Sequence, residues 1–256
     1  MARSLVPLLL LVVPGLAGCP EGPPVRSALE LHGPEAGAAP PAATDDDAPA
    51  VPSALVEQMH QRLALVSRIQ QATIRGDMAR AKAAATELAA VLHTDAPESF
   101  RPFLRAIDGE LEVLAQADDL RTVGGAVARV GLGCGRCHEA GAVAIPLPEP
   151  PTPQPSADLP ASMQVHRWAA DRMWEGLVVP SDDRWIRGST MFIAIPGCPE
   201  ATPAEPDAKA DPSPCTHAQS LARRGHVTRS LEGRAAIYGR LLSTCAECHT
   251  GTSGSR

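Results

Sequence analysis

Two five-residue segments carry the most specific chemistry in this 256-residue chain: Cys134-Gly135-Arg136-Cys137-His138 and Cys245-Ala246-Glu247-Cys248-His249. The order Cys-x-x-Cys-His is the attachment signature of c-type haem. On a helix, positions i, i+3 and i+4 share one face. Two thiols can therefore reach the two vinyl groups of one porphyrin while the adjacent imidazole points at the iron. An axial histidine also helps to set the reduction potential. Zinc is the competing cargo, since four Cys and two His could build tetrahedral sites. A thioredoxin-like redox pair would need a βαβ setting that the flanking sequence lacks. Two copies of the motif, each at the end of a helical segment, favour two covalently attached haem c groups. Cys134, Cys137, Cys245 and Cys248 would hold them, with His138 and His249 as proximal iron ligands.

The other cysteines sort by position. Cys19 closes Leu16-Ala17-Gly18-Cys19, which resembles a bacterial lipobox. Ahead of it stand Arg3 and the apolar run Leu5 to Leu16, too short to span a bilayer comfortably. This predicts a lipoprotein signal peptide over 1–18 and lipidation at Cys19. The chain is then expected on the periplasmic side of a bacterial membrane, the outer ahead of the inner. An ordinary signal peptide with a nearby Cys would export it equally. Export permits disulfides, and Cys198 and Cys215, flanking a Pro- and Ala-rich loop, are expected to pair.

The rest of the chain must position these groups. Few aromatics and abundant Ala, Leu and Val favour helices over a sheet sandwich. A formal net charge of −6 gives no reason to expect nucleic acid as a partner. Residues 19–52 are rich in Pro, Ala, Gly and acid, which suits a disordered tether. Residues 143–160 form a Pro-rich linker. Between and after them lie two helical segments, 53–142 and 161–256. The fold class expected is all-α, with two tandem four-helix-bundle-like haem domains. In the first, Ser53 is a candidate N-cap, Gly76 stops the opening helix and Asp77 caps the next. Gly124, Gly125, Gly131 and Gly133 each cost about 1 kcal/mol in a helix interior. Close approach of a flat ring to the backbone is a reason to tolerate them.

The halves can be laid on one another. His60 precedes Asp77 by seventeen residues, and His166 precedes Asp183 by the same interval (77 − 60, 183 − 166). In an antiparallel bundle the start of the first helix can face the end of the last. His60 and His166 are thereby expected as distal iron ligands, with Met59 and Met163 next in line. His93, His217 and His226 have no matched partner and are taken as ordinary polar residues.

This architecture resembles the cytochrome c′ and c-556 group, four-helix bundles with Cys-x-x-Cys-His near the end of the last helix. The resemblance covers Ser53 to Glu139 and, more loosely, Ser162 to Thr250. The segment His166-Arg167-Trp168-Ala169-Ala170-Asp171-Arg172-Met173-Trp174-Glu175-Gly176-Leu177 is also similar to bacterial cytochromes of this kind. In the group the sixth iron position is often vacant or held by Met, whereas histidine is expected here. The function implied is one-electron transfer with other redox proteins as partners, the membrane being met through the lipid anchor. A peroxidase-like haem enzyme and a gas-binding haem sensor are the alternatives. No catalytic residue is assigned, because no Ser-His-Asp, paired-carboxylate or phosphate-loop motif stands in a suitable context.

Overall fold

Helix punctuation in this sequence is local and strong, and it sets the element boundaries. The computed structural model describes residues 53–94, 96–143, 145–155, 158–196 and 213–253. Cys19, Cys198, the tether and the signal segment lie outside the described residues. The described chain is helical, with no strand among those residues. The first half gives α1 (Ser53–Ile74), α2 (Met78–Val91), α3 (Arg101–Gln116) and α4 (Leu120–Ala140), with a short 3-10 turn over Glu98–Phe100. The second half gives α5 (Leu159–Val178), α6 (Asp182–Ile193), α7 (Pro214–Val227) and α8 (Leu231–Ser253).

Most starts have a side-chain cap. Asp77 accepts from the Arg80 amide, Asp119 from Thr122, Asp158 from Ala161, Ser181 from Arg184 and Ser213 from Thr216. Each such cap contributes about 1 kcal/mol. Gly76 ends α1 with φ +70°, and a Cβ there would lie 2.5 Å from Thr250 Cγ2. Both the backbone angle and the neighbour require glycine.

The described residues belong to one compact unit, and the two halves pack on each other through their closing helices. Helices α4 and α8 run antiparallel. Gly124 lies against Gly239 and Ser243, Gly135 against Leu231, and Arg136 pairs with Glu232 at 2.6 Å. A Cβ on Gly124 would meet the Gly239 carbonyl oxygen at 2.7 Å, so backbone touches backbone at this crossing. The first helix of each half flanks this pair. Gln70 of α1 reaches Tyr238 of α8, while Ala170 and Gly176 of α5 meet Tyr238 and Arg234. Each first helix therefore lies antiparallel to its own closing helix and parallel to the other one.

The glycines of α4 are taken up by protein neighbours. The Gly131 position is closed by Trp174, Gly133 by Ile107 and Gly135 by the Leu177 carbonyl. Close approach is indeed why they are needed, but helices and an indole make it. The Pro-rich segment is likewise strapped down. Leu147 O accepts from Arg184 Nη2 at 2.9 Å, and Glu149 accepts twice from Arg187 at 3.0 and 3.1 Å.

Where α1, α5 and α8 meet, the core holds polar groups that must be paired. Tyr238 Oη donates to Ala170 O at 3.0 Å and accepts from Gln70 Nε2 at 2.8 Å. Its ring stacks on Trp174 at 5.5 Å. Arg234, 1% exposed, donates to Gly176 O, pairs with Asp182 and lies over Trp185.

Burial holds the Tyr238 phenol well above its ordinary range. A raised folded-state pKa contributes stability that is complete below the unfolded value of about 10 and is lost as pH rises beyond it. Tyr238 is the only tyrosine in the chain. Tyrosinate absorbance should therefore appear together with the loss of helical circular dichroism on alkaline titration. Tyr238→Phe should cost about 1–2 kcal/mol at neutral pH, since Gln70 loses its acceptor, and should weaken the alkaline dependence. An early, non-cooperative tyrosinate titration would contradict this account.

Candidate functional site

The two Cys-x-x-Cys-His segments occupy the last turns of α4 and α8, as the spacing predicts. Because the pair is antiparallel, they stand at opposite ends of it. Glu232 opposes Arg136, and Cys245 lies thirteen residues farther along α8 (245 − 232). At 1.5 Å per residue the two motifs are about 20 Å apart along the shared axis. None of the four Cys is in a disulfide; Cys134, Cys137 and Cys245 are half-buried and Cys248 is exposed. Cys215 is disulfide-bonded, while its expected partner Cys198 lies outside the described residues.

The electrostatics of the thiols separates the chemistries open to them. Burial pushes the Cys134 and Cys245 thiols up to about 12, and raises Cys137 as well. Thiols held protonated are poor nucleophiles for disulfide exchange, which needs the thiolate. Among the described residues no three His, Cys, Asp or Glu side chains gather into a metal-ion site. A thioether carries no charge, so the same burial does not penalise it.

His138 is oriented by the opposite half of the chain. Its Nδ1 lies 2.7 Å from the carbonyl oxygen of Val178, the last residue of α5. A carbonyl only accepts, so this contact fixes the proton on Nδ1 and leaves the Nε2 lone pair free. Iron- and zinc-ligating histidines are commonly held in this way. The contact depends on Gly135, where a Cβ would overlap the Leu177 carbonyl of the same helix end. Burial lowers the His138 pKa despite the opposing hydrogen bond, which favours neutral imidazole. At the other end, Ala246 and Thr250 lie beside Gly76 at the end of α1.

The residues opposite the motifs differ from expectation in one respect. The second helices are capped by Asp77 and Ser181, which are 104 residues apart (181 − 77). With that offset the buried residues of α1, Leu65, Val66, Ile69, Gln70 and Thr73, fall on Ala169, Ala170, Met173, Trp174 and Leu177, all buried. The interval of 106 that matched His60 with His166 is thus two residues too long. Two residues turn a helix by about 200°, so His60 lies on the exposed outer face. The position matched with His166 is Arg62, and Met59 is matched with Met163. The error came from aligning Asp77 with Asp183, when Ser181 is the cap.

Arg62 is 6% exposed and lies within electrostatic reach of Cys134 and Cys137. Its Nη2 donates to Thr94 O at 3.0 Å, and Nη1 approaches Met59 Sδ at 4.0 Å. His166 is half-buried, stacks on Phe192 at 5.8 Å and lies close enough to His249 for the two rings to repel as cations. Burial, then His249, lowers its pKa. His166 thus lies within electrostatic reach of His249, whereas His60 is exposed. The other described histidines lie toward the surface. His93 pairs with Asp108 at 2.5 Å, and His226 lies 3.3 Å from Thr190 Oγ1. Arg62 was missed because arginine is not an iron ligand; a buried cation on the apolar stripe of α1 was the available signal.

No family model, curated protein or solved structure matches this chain.

Gly135→Ala should push α5 from α4, lowering stability by about 1–3 kcal/mol in chemical denaturation. Gly109→Ala, in α3 with nothing within 4 Å of the added Cβ, should instead stabilise by up to about 1 kcal/mol. Equal effects of the two would show that the His138–Val178 joint is not tightly packed.

Proposed function

We propose that this chain is a dihaem c-type cytochrome that transfers single electrons, one haem c being attached to the end of α4 and one to the end of α8. The observation that carries the reading is the pairing of each motif with a helical frame that suits thioether attachment. In both, the thiols are unbridged on successive turns of the closing helix. At the first, the Val178 carbonyl leaves His138 Nε2 as a free nitrogen donor. Burial that keeps Cys134 and Cys245 protonated argues against a redox disulfide.

When bound, the haems supply the redox chemistry, and the protein supplies ligation, burial and separation. Cys134, Cys137 and His138 would hold the first, with Cys245, Cys248 and His249 holding the second. His166 is the candidate distal ligand of the second. Each four-helix half then serves as a haem domain, but the two share the α4–α8 contact instead of hanging from a free linker. The described residues contain no helix long and apolar enough to cross a membrane. Membrane attachment would fall to lipidated Cys19, on the periplasmic side, with other redox proteins as partners.

The test is to produce the full chain in a host that matures c-type cytochromes. Haem should stay on the denatured polypeptide, with two haems per chain by pyridine haemochrome and by mass. Changing Cys134 and Cys137 to Ala should leave one, and changing Cys245 and Cys248 should leave the other. Both haems should be reduced and reoxidised reversibly. Zinc without haem, or a bare chain in matured material, would overturn the proposal.

A further inference from the structure

We infer that the two sites differ in kind: His166 closes the iron of the second, whereas the first leaves its iron open to a small added anion beside Arg62. This rests on the dihaem reading above. The argument begins with the register of α1 on α5. Caps and burial both give an offset of 104 residues, which places Arg62 where the second half has His166. An imidazole at that position can ligate. A guanidinium cannot, since it stays protonated and offers five donors and no lone pair.

Arg62 is also incompletely satisfied. Its Nε is buried without a hydrogen-bond partner, and among the described residues no carboxylate pairs with it. Its partners are a backbone carbonyl and a thioether sulfur. A buried charge without a countercharge is costly. The unfilled requirement is for an anion, and the antiparallel packing of α1 on α4, with Gly76 beside Leu120, brings Arg62 level with the thiols that would carry the first haem. An anionic ligand on that iron would receive charge-assisted hydrogen bonds from the guanidinium. His60 offers no rival ligand, because it lies on the exposed face and matches exposed Gln164. Met59 is the competitor, its sulfur 4.0 Å from Arg62 Nη1.

Azide titration of the ferric, haem-loaded full chain tests this by absorbance and electron paramagnetic resonance. One haem should be high-spin and bind azide, while the other stays low-spin. Arg62→Ala should weaken azide binding at least tenfold with two haems retained, and Arg62→Lys should weaken it less. Carbon monoxide, which is uncharged, should bind the ferrous form of the same haem with a smaller loss. His166→Ala should create a second azide-binding iron. Two low-spin haems that ignore azide would overturn the inference, as would a first haem that becomes high-spin only in Met59→Leu. Azide affinity unchanged in Arg62→Ala would also overturn it, placing the guanidinium on a haem propionate. Absence of haem would instead overturn the dihaem reading itself.

Discussion

The backbone contact between α4 and α8 at Gly124 and Gly239 is the constraint on which the other placements depend. Only residues without a Cβ let two helices approach until carbonyl meets Cα. Once the closing helices cross there, antiparallel, their Cys-x-x-Cys-His ends must point in opposite directions. The grooves on either side of the crossing then accept α1 and α5. Each of these touches both closing helices, which is why the two halves are a single packed unit. The Gln70–Tyr238 hydrogen bond spans the halves, and Tyr238 and Arg234 tie α8 to α5 within the second.

One consequence is that neither motif belongs wholly to its own half. The imidazole of His138 is held by the last carbonyl of α5, and the end of α8 rests on the glycine that terminates α1. A helix end is a natural source of such a contact, because its final carbonyls lack intrahelical partners. Each motif is thus braced by the first helix of the other half. Repetition did not keep them alike. The second half buries Trp168, Trp174, Trp185 and Phe192 where the first has Ala64, Gln70, Ala81 and Leu88. The matched positions opposite the motifs hold a ring in one half and a guanidinium in the other.

Much of this was legible in the sequence because it is set by short-range chemistry. The i, i+3, i+4 spacing put two thiols and an imidazole on one helix face, and that needs no tertiary information. Gly76 and Asp77 marked a stop and a start through backbone angle and side-chain capping, and both behave so in the structure. The four-plus-four helix count followed from apolar stripes and turn residues. Cys215 is disulfide-bonded, and Cys198, with which it was expected to pair, lies outside the described residues.

Tertiary structure decided what depends on the rotation of one helix against another. A two-residue slip in the repeat, invisible to interval counting, turns α1 by more than half a circle and exchanges His60 for Arg62. The glycines of α4 were recognisable as sites of close approach, but their neighbours could be named only once α3, α5 and α8 were packed. The same holds for the tautomer of His138, which is set by a carbonyl forty residues away. Motif and cap are properties of a few consecutive residues, whereas register, burial and charge pairing belong to surfaces that exist only after the helices meet.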